Sequence, residues 1–456
     1  METTCQAPDQ SKIAPGDKTV AFYALGCRAN QLEASALADE FRRHGWQVND
    51  FMAHDAGLVV INTCTVTHGG DSESRRIIRK AKRHNPNARV AVTGCYAQVA
   101  PQQVAALDGV NYVIGNNFKQ DVFRITTEQP VDPADAPLIH HSEMDKSRIM
   151  LGGTTSALNR TRASLKIQDG CDYKCSYCII PQARGLSRSV PAATLLSQFK
   201  QLLEAGFKEV VLTGINIGQY QEPDDGTDLA ALLQVLVAIP GDFRIRLSSL
   251  DPWEVTDGLL AVLASTDKVC PFVHLSVQSM QDDVLKRMAR RHREADVVEL
   301  CNRLNEALPD IAIGMDIIVG FPGETDRRFE TTHAHLSAMP ISYLHTFSYS
   351  ARRQTAAAGF DGQVNEADKK RRSQVLIELA QEKSLAYRRR FMGQTVPVLV
   401  EQCGTKGLSP HFIPVQLTGP DTDHPVSAVP NTVVPVTIKA VSIMSTTGQL
   451  NASNPL

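Results

Sequence analysis

Three cysteines, Cys27, Cys64 and Cys95, each follow directly on a short apolar run, in Leu-Gly-Cys27, Asn-Thr-Cys64 and Thr-Gly-Cys95. The runs are Thr19–Leu25 (TVAFYAL), Leu58–Ile61 (LVVI) and Arg89–Val92 (RVAV), with a fourth at Tyr112–Ile114. Helical periodicity lies between them over Gln31–His44 and Asp71–His84. Short apolar strands alternating with amphipathic helices predict a Rossmann-like parallel sheet covered on both faces. Such sheets bind ligands just beyond the carboxyl ends of their strands. All three thiols fall at that edge. A lone buried cysteine is ordinarily core filling, but three at the same place in successive units predict one shared ligand.

A second triple is tight: Cys171, Cys175 and Cys178, spaced C-x3-C-x2-C. Structural zinc takes four closed ligands, and no fourth Cys or His follows at finger-like spacing. A four-iron cluster held by three thiolates keeps one iron open. Two such clusters in one chain point to catalysis rather than electron storage. The tight loop follows the first strand of a second alternation: ASLKIQ from Ala163, a helix around Ala192–Ala205, then strands at Glu209–Gly214, Phe243–Ser249, Phe272–Val277, Ile311–Gly320 and Tyr343–Ser350. Repeated βα units of this length predict a full or partial barrel with its site at the strands' carboxyl ends.

The remaining organisation follows from composition. From about Phe118 to Ser156 the pattern fades into an irregular connection. A charged helix over Glu366–Phe391 closes the barrel. Gln394–Glu401, Phe412–Leu417 and Asn431–Val441 are β-branched runs that predict a small all-β barrel. The expected domains are 18–125, a linker over 126–156, the barrel over 157–390 and the β module over 391–456. At 456 residues, 43% hydrophobic and 21% charged, the chain is an ordinary globular one. No apolar run approaches the roughly 18 residues of a membrane span, and Met1–Gly16 lacks a signal-peptide core. A cytoplasmic protein is expected, whose cysteines bind metal instead of forming disulfides. The net charge of −2 is uninformative; the basic runs at Arg75–Arg83, Lys286–Arg293, Lys369–Arg372 and Arg388–Arg390 each read singly as a solvated helix face, while their number suits a polyanionic partner. Cys270 and Cys301 read as core, and Cys5 and Cys403 as incidental. Lys166 is placed to hold a carboxylate or to sit as a strand-edge charge. Arg184 and Arg188 are candidates for a cofactor or phosphate. Asp316 needs a partner if its apolar strand is buried.

The C-x3-C-x2-C loop at a barrel mouth resembles that of the radical S-adenosylmethionine enzymes. That resemblance implies a 4Fe–4S cluster on Cys171, Cys175 and Cys178, with S-adenosylmethionine chelating the open iron and cleaved to a 5′-deoxyadenosyl radical. It places Tyr177 near the adenine and Thr213-Gly214-Ile215-Asn216 at the methionine end, with Arg184 and Asp316 as further cofactor candidates. The stretches ALGCRANQLEA, VVINTCTVT, VAVTGCYAQ, RLSSLDP, MDIIVGFPGET and FSYSARRQT narrow the resemblance to the methylthiotransferases. Within that family they look most like the branch acting at C2 of N6-threonylcarbamoyladenosine 37 in tRNA. The resemblance implies an auxiliary 4Fe–4S cluster on Cys27, Cys64 and Cys95, two S-adenosylmethionine per turnover and a terminal TRAM-like module that binds RNA. It also implies an electron donor such as flavodoxin or ferredoxin, a sulfur source and a monomeric enzyme. Sister branches act on isopentenyladenosine in tRNA or on a ribosomal-protein aspartate, and a non-catalytic iron–sulfur carrier is the reading from another class. Ser276 and Met280 stand where relatives often carry Pro and Gly, which puts close ligand approach there in question.

Overall fold

The computed structural model describes residues 18–51, 56–132, 135–144, 161–419 and 424–450. Met1–Gly16, Cys5 and the linker residues 145–156 lie outside them. The described chain forms two compact units. The first contains the residues up to 144 with Gly170–Asp172 and Cys178–Leu186, and the second contains Tyr173–Tyr177, Ser187 onward and the stretch ending at Asp169.

The first unit is built on six parallel strands: β1 (Thr19–Ala24), β2 (Gln47–Asn49), β3 (Leu58–Thr63), β4 (Arg89–Gly94), β5 (Tyr112–Ile114) and β6 (Leu138–His140), in the order β2-β1-β3-β4-β5-β6. Successive side chains of a strand alternate between faces, and β3 shows why this sheet needs two covers. Val59 and Ile61 pack with Ile77 and Ile78 of helix α2 (His68–His84). Leu58 and Val60 pack with Leu37 and Phe41 of helix α1 (Arg28–Arg43). Strands β2 and β6 have three residues each, too short for an alternating pattern to announce them. Strand β6 and the helix Val122–Glu128 both fall in the stretch expected to be irregular.

In the second unit, β7 (Ala163–Lys166) is followed by the short antiparallel pair β8 (Gln168–Asp169) and β9 (Arg188–Ser189). Strands β10 (Glu209–Thr213) and β11 (Arg244–Leu247) then join β7 in the order β11-β10-β7. Strands β12 (Phe272–Gln278), β13 (Ala312–Val319) and β14 (Tyr343–Ser348) form a second parallel sheet, in that order. A parallel bridge from Leu250 to Leu275 continues β11 toward β12. The result is a six-stranded partial barrel wrapped by helices, with Leu165, Leu212, Ile245, Val273, Met315 and Leu344 in its outer core.

The final five strands, β15 (Thr395–Val400), β16 (Lys406–Leu408), β17 (Pro414–Thr418), β18 (Val433–Val441) and β19 (Thr446–Leu450), close into a small barrel in the order β15-β16-β17-β19-β18. Its core runs on without a break into Phe272 and Ala312 of the larger barrel and Tyr387 and Phe391. An ion cluster reinforces that junction. Glu209 is wholly buried and accepts from Arg244 at 2.7 Å and from Arg246 at 2.8 Å. The two guanidiniums also donate to the carbonyls of Leu408, Ser409 and Pro410 at 2.7 to 3.1 Å.

The basic runs are less available to a partner than their sequence suggests. Lys369, Arg372 and Arg388 are buried. Arg372 pairs with Glu324 at 2.7 Å, and Arg388 holds the β18–β19 turn through Ile443 O, Ser445 O and Thr446 Oγ1. Cys270 and Cys301 are core, as expected. No helix among the described residues is long and apolar enough to cross a membrane.

Candidate functional site

Strands β1, β3 and β4 are adjacent and parallel, so their carboxyl ends share one edge. Cys27 precedes α1 there, Cys64 follows β3, and Cys95 opens the short helix α3 (Cys95–Val99). The residues beside these cysteines brace the strand ends. Asn30 is buried and donates to Leu25 O at 2.8 Å and to Thr63 O at 3.0 Å, joining the ends of β1 and β3. Thr63 Oγ1 donates to Thr93 O at 2.5 Å, joining β3 to β4. Gly26 has φ +82°, and a Cβ there would lie 2.7 Å from Cys64 Sγ, so only glycine leaves that side of the thiol clear.

The electrostatics suit bound metal. Burial, together with the neighbouring Cys95 and Cys27, pushes the Cys64 thiol up to about 11, so metal must displace its proton. Close by, Glu33 binds Lys119 at 2.6 Å and Arg184 at 2.6 Å, all three buried, while Arg184 also reaches Asn30 Oδ1 at 2.5 Å. Two cations on one carboxylate leave an excess positive charge that deprotonated thiols would balance. A three-thiolate cluster fits this donor set. Arg184, expected near a cofactor, is thus committed to Glu33 and Asn30. Sequence reasoning missed Asn30, Glu33 and Lys119, although GCRANQLEA contains two of them.

Cys171, Cys175 and Cys178 form no disulfide, and each is partly accessible. Cys171 donates its N–H to Gly185 O at 3.1 Å within the first unit. In the second unit Arg290 Nη1 donates to Cys175 Sγ at 3.5 Å, while Nη2 bonds Asp251 and Ser276 O. Tyr177 packs on Phe321, with ring centroids 6.3 Å apart. Past β10, the backbone N–H groups of Ile215 and Asn216 donate to Gln168 Oε1 at 3.1 and 2.9 Å. Thr213 and Asn216 are buried, and Asn216 Nδ2 donates to Glu254 at 2.9 Å and Asp251 at 3.2 Å. Tyr173 donates to the same Glu254 oxygen at 2.9 Å and accepts from Trp253 Nε1 at 2.9 Å. Two carboxylates therefore adjoin the Thr213–Asn216 loop and Arg290, a donor and acceptor set suited to the ammonium and carboxylate of an amino-acid-like ligand. Asp251 lies in the RLSSLDP stretch and Glu254 just after it, yet nothing in the spacing distinguishes them from surface acids.

The other candidates are placed as follows. Lys166 is buried and holds Asp169 at 2.7 Å, so it carries a carboxylate; Arg188 stands 3.9 Å from the same group. Met280 is fully buried core, and the unusual backbone lies instead at Gln278, with φ 72° where the β12–β13 register shifts. Asp316 faces His274 and His345.

Burial and the charge of Asp251 push Glu254 up to about 7. The folded protein then binds a proton that the unfolded chain releases above its ordinary value of 4.5, so stability falls as pH rises through that window. The melting temperature is expected to drop between about pH 5 and pH 8, by the equivalent of roughly 2–3 kcal/mol, and to drop much less in Glu254→Gln. Parallel profiles for the two proteins would contradict the assignment.

The comparisons agree with this architecture. The Radical SAM superfamily matches residues 165–336, and Uncharacterized protein family UPF0004 matches residues 19–115. The Threonylcarbamoyladenosine tRNA methylthiotransferase MtaB of Bacillus subtilis is 39% identical over 84% of this chain and 85% of its own. The protein of the same name from Aquifex aeolicus is 40% identical over 84% and 92%. Among solved structures, the radical S-adenosylmethionine methyltransferase TsrM of Kitasatospora setae, with tryptophan substrate and a SAM analogue bound, aligns with a TM-score of 0.53 at 15% identity over 73% of each chain, a likeness of fold. The chain belongs to the radical S-adenosylmethionine methylthiotransferases, in the branch represented by these MtaB proteins.

Proposed function

We propose that this enzyme installs a methylthio group at C2 of N6-threonylcarbamoyladenosine at position 37 of tRNA. The observation that carries the proposal is the identity of 39–40% with relatives of that name over most of both chains. Two cysteine triples support it, one at the shared edge of β1, β3 and β4 and one in the loop that follows β7 and β8 along the chain. Cys171, Cys175 and Cys178 would hold one 4Fe–4S cluster, and Cys27, Cys64 and Cys95 a second. Bound, the clusters would supply the one-electron cleavage of S-adenosylmethionine and the site for sulfur, with two S-adenosylmethionine used per turnover. The chain's own residues do the rest. Asn216, Asp251 and Glu254 offer acceptors to the methionine ammonium, and Tyr177 stands by the adenine. Glu33, Arg184 and Lys119 fix the charge beside the auxiliary cysteines. The closed β barrel is a TRAM-like module for tRNA. We place the enzyme in the cytoplasm as a monomer, supplied with electrons by a carrier such as flavodoxin or ferredoxin and with sulfur by a separate source.

The test is mass spectrometry of nucleosides from tRNA of a strain lacking the gene. Loss of the 2-methylthio form of N6-threonylcarbamoyladenosine, with its unmodified precursor accumulating, is expected. Loss of the methylthio isopentenyl nucleoside instead, or an unchanged tRNA with an altered ribosomal protein, would assign the enzyme to a sister branch.

A further inference from the structure

Three neighbouring strands of the partial barrel bring together a group of side chains that includes neither the cysteine triples nor the Asn216, Asp251 and Glu254 set. In register, His274 of β12 pairs with Gly314 of β13, which pairs with Tyr343 of β14; Asp316 of β13 pairs with His345 of β14. Residues two apart share a face. His274, Asp316 and His345 therefore converge, each offering a ligand atom, with all three atoms within 4.8 Å of one another. They are the one such His/Cys/Asp/Glu group among the described residues.

An ordinary imidazole–carboxylate pair would aim a ring N–H along the line to the oxygen. Here His274 Nε2 is 2.8 Å and His345 Nδ1 3.4 Å from Asp316 Oδ1, yet that buried oxygen has no aligned donor. Two imidazoles and a carboxylate gathered around a common point suit a cation. The surroundings add what a metal-binding histidine requires. The second ring nitrogen of His274 is 2.7 Å from the Tyr343 hydroxyl, an outer partner that fixes ring orientation. Tyr343 can lie there only because Gly314 lacks a side chain, since a Cβ would come within 2.0 Å of the phenol ring. His274 is buried while His345 is exposed, which gives an ion a route in.

We propose that His274, Asp316 and His345 bind a divalent first-row transition metal, with its remaining coordination positions open. Two imidazoles and one carboxylate are the donor set of zinc and non-haem iron sites and not of calcium or magnesium. The test uses the full enzyme with its iron–sulfur clusters reconstituted, equilibrated with zinc sulfate and desalted. Metal analysis should find about one zinc per chain, and the zinc K-edge spectrum should show a nitrogen and oxygen shell without sulfur. His345→Ala and Asp316→Asn should lose that zinc with iron content unchanged. Tyr343→Phe should keep it with an affinity weakened by about 10–100-fold. His345 is exposed, so its variant serves where a buried change disturbs folding. No retained zinc, a sulfur-containing shell, or undiminished binding by His345→Ala would each overturn the proposal.

Discussion

Replacing Cys171, Cys175 and Cys178 together by Ala should abolish cleavage of S-adenosylmethionine and remove half of the iron. By the four-iron composition of each cluster, reconstituted wild type should hold about eight irons per chain and this variant about four. Replacing Cys27, Cys64 and Cys95 should also leave about four, but 5′-deoxyadenosine should still form while the methylthio product does not. The two variants are clean because no other described thiol can substitute. Cys270 and Cys301 are sealed in the core, where burial pushes them up to about 11 and about 12. Cys403 lies on the terminal β barrel, in the turn between β15 and β16. Full iron in either variant would show that the six cysteines do not divide into two independent ligand sets.

What the chain announces in advance is what strand and helix periods can carry. Strands β1, β3, β4 and β5, the barrel strands and the cysteines at their ends are visible because apolar runs stop at the same kind of boundary each time. The braces are not visible. Asn30 and Glu33 look like the polar face of a helix until Arg184 arrives from 154 and 151 residues later. Glu254 looks like a surface acid until Asn216 and Tyr173 close on it. The His274–Asp316–His345 group depends on the register of three strands, which no single strand reveals. Long-range pairing of this sort leaves no local period to read.

The second large effect is expected at Glu209. Glu209→Gln keeps the shape of the side chain but leaves Arg244 and Arg246 buried side by side without a counter-charge. Removing one partner of a buried ion cluster costs about 3–5 kcal/mol, and denaturant or thermal unfolding of the second unit should register it. Burial alone would raise the Glu209 carboxyl, but the charge and hydrogen bonds of Arg246, with Arg244, bring it down to about 2. Its contribution is therefore complete above the unfolded value of 4.5 and is lost as pH falls from there toward about 2. The difference between wild type and Glu209→Gln should shrink over that acidic range. A loss below about 1 kcal/mol at neutral pH would mean that the carbonyls of Leu408, Ser409 and Pro410 already satisfy both guanidiniums. The same cluster bears on truncation. A chain cut after Phe391 loses those carbonyls and bares Phe272 and Ala312, so insolubility is expected before any effect on tRNA affinity can be measured.

The first unit is not a continuous length of chain. Its sheet ends at His140, but Cys178–Leu186 belongs to it, and Arg184 is the second cation on Glu33. During synthesis the N-terminal sheet can pair its strands early, yet Glu33 and Lys119 must wait for another 44 residues, 141 to 184, before their buried cluster is complete. At about 5–20 residues per second that wait is roughly 2–9 s. A gene fragment ending just after β6 would leave the nascent unit permanently at this stage. The ribosome thus makes the cradle of one cysteine triple before the piece that finishes it, and that piece arrives on the same stretch of chain as the other triple.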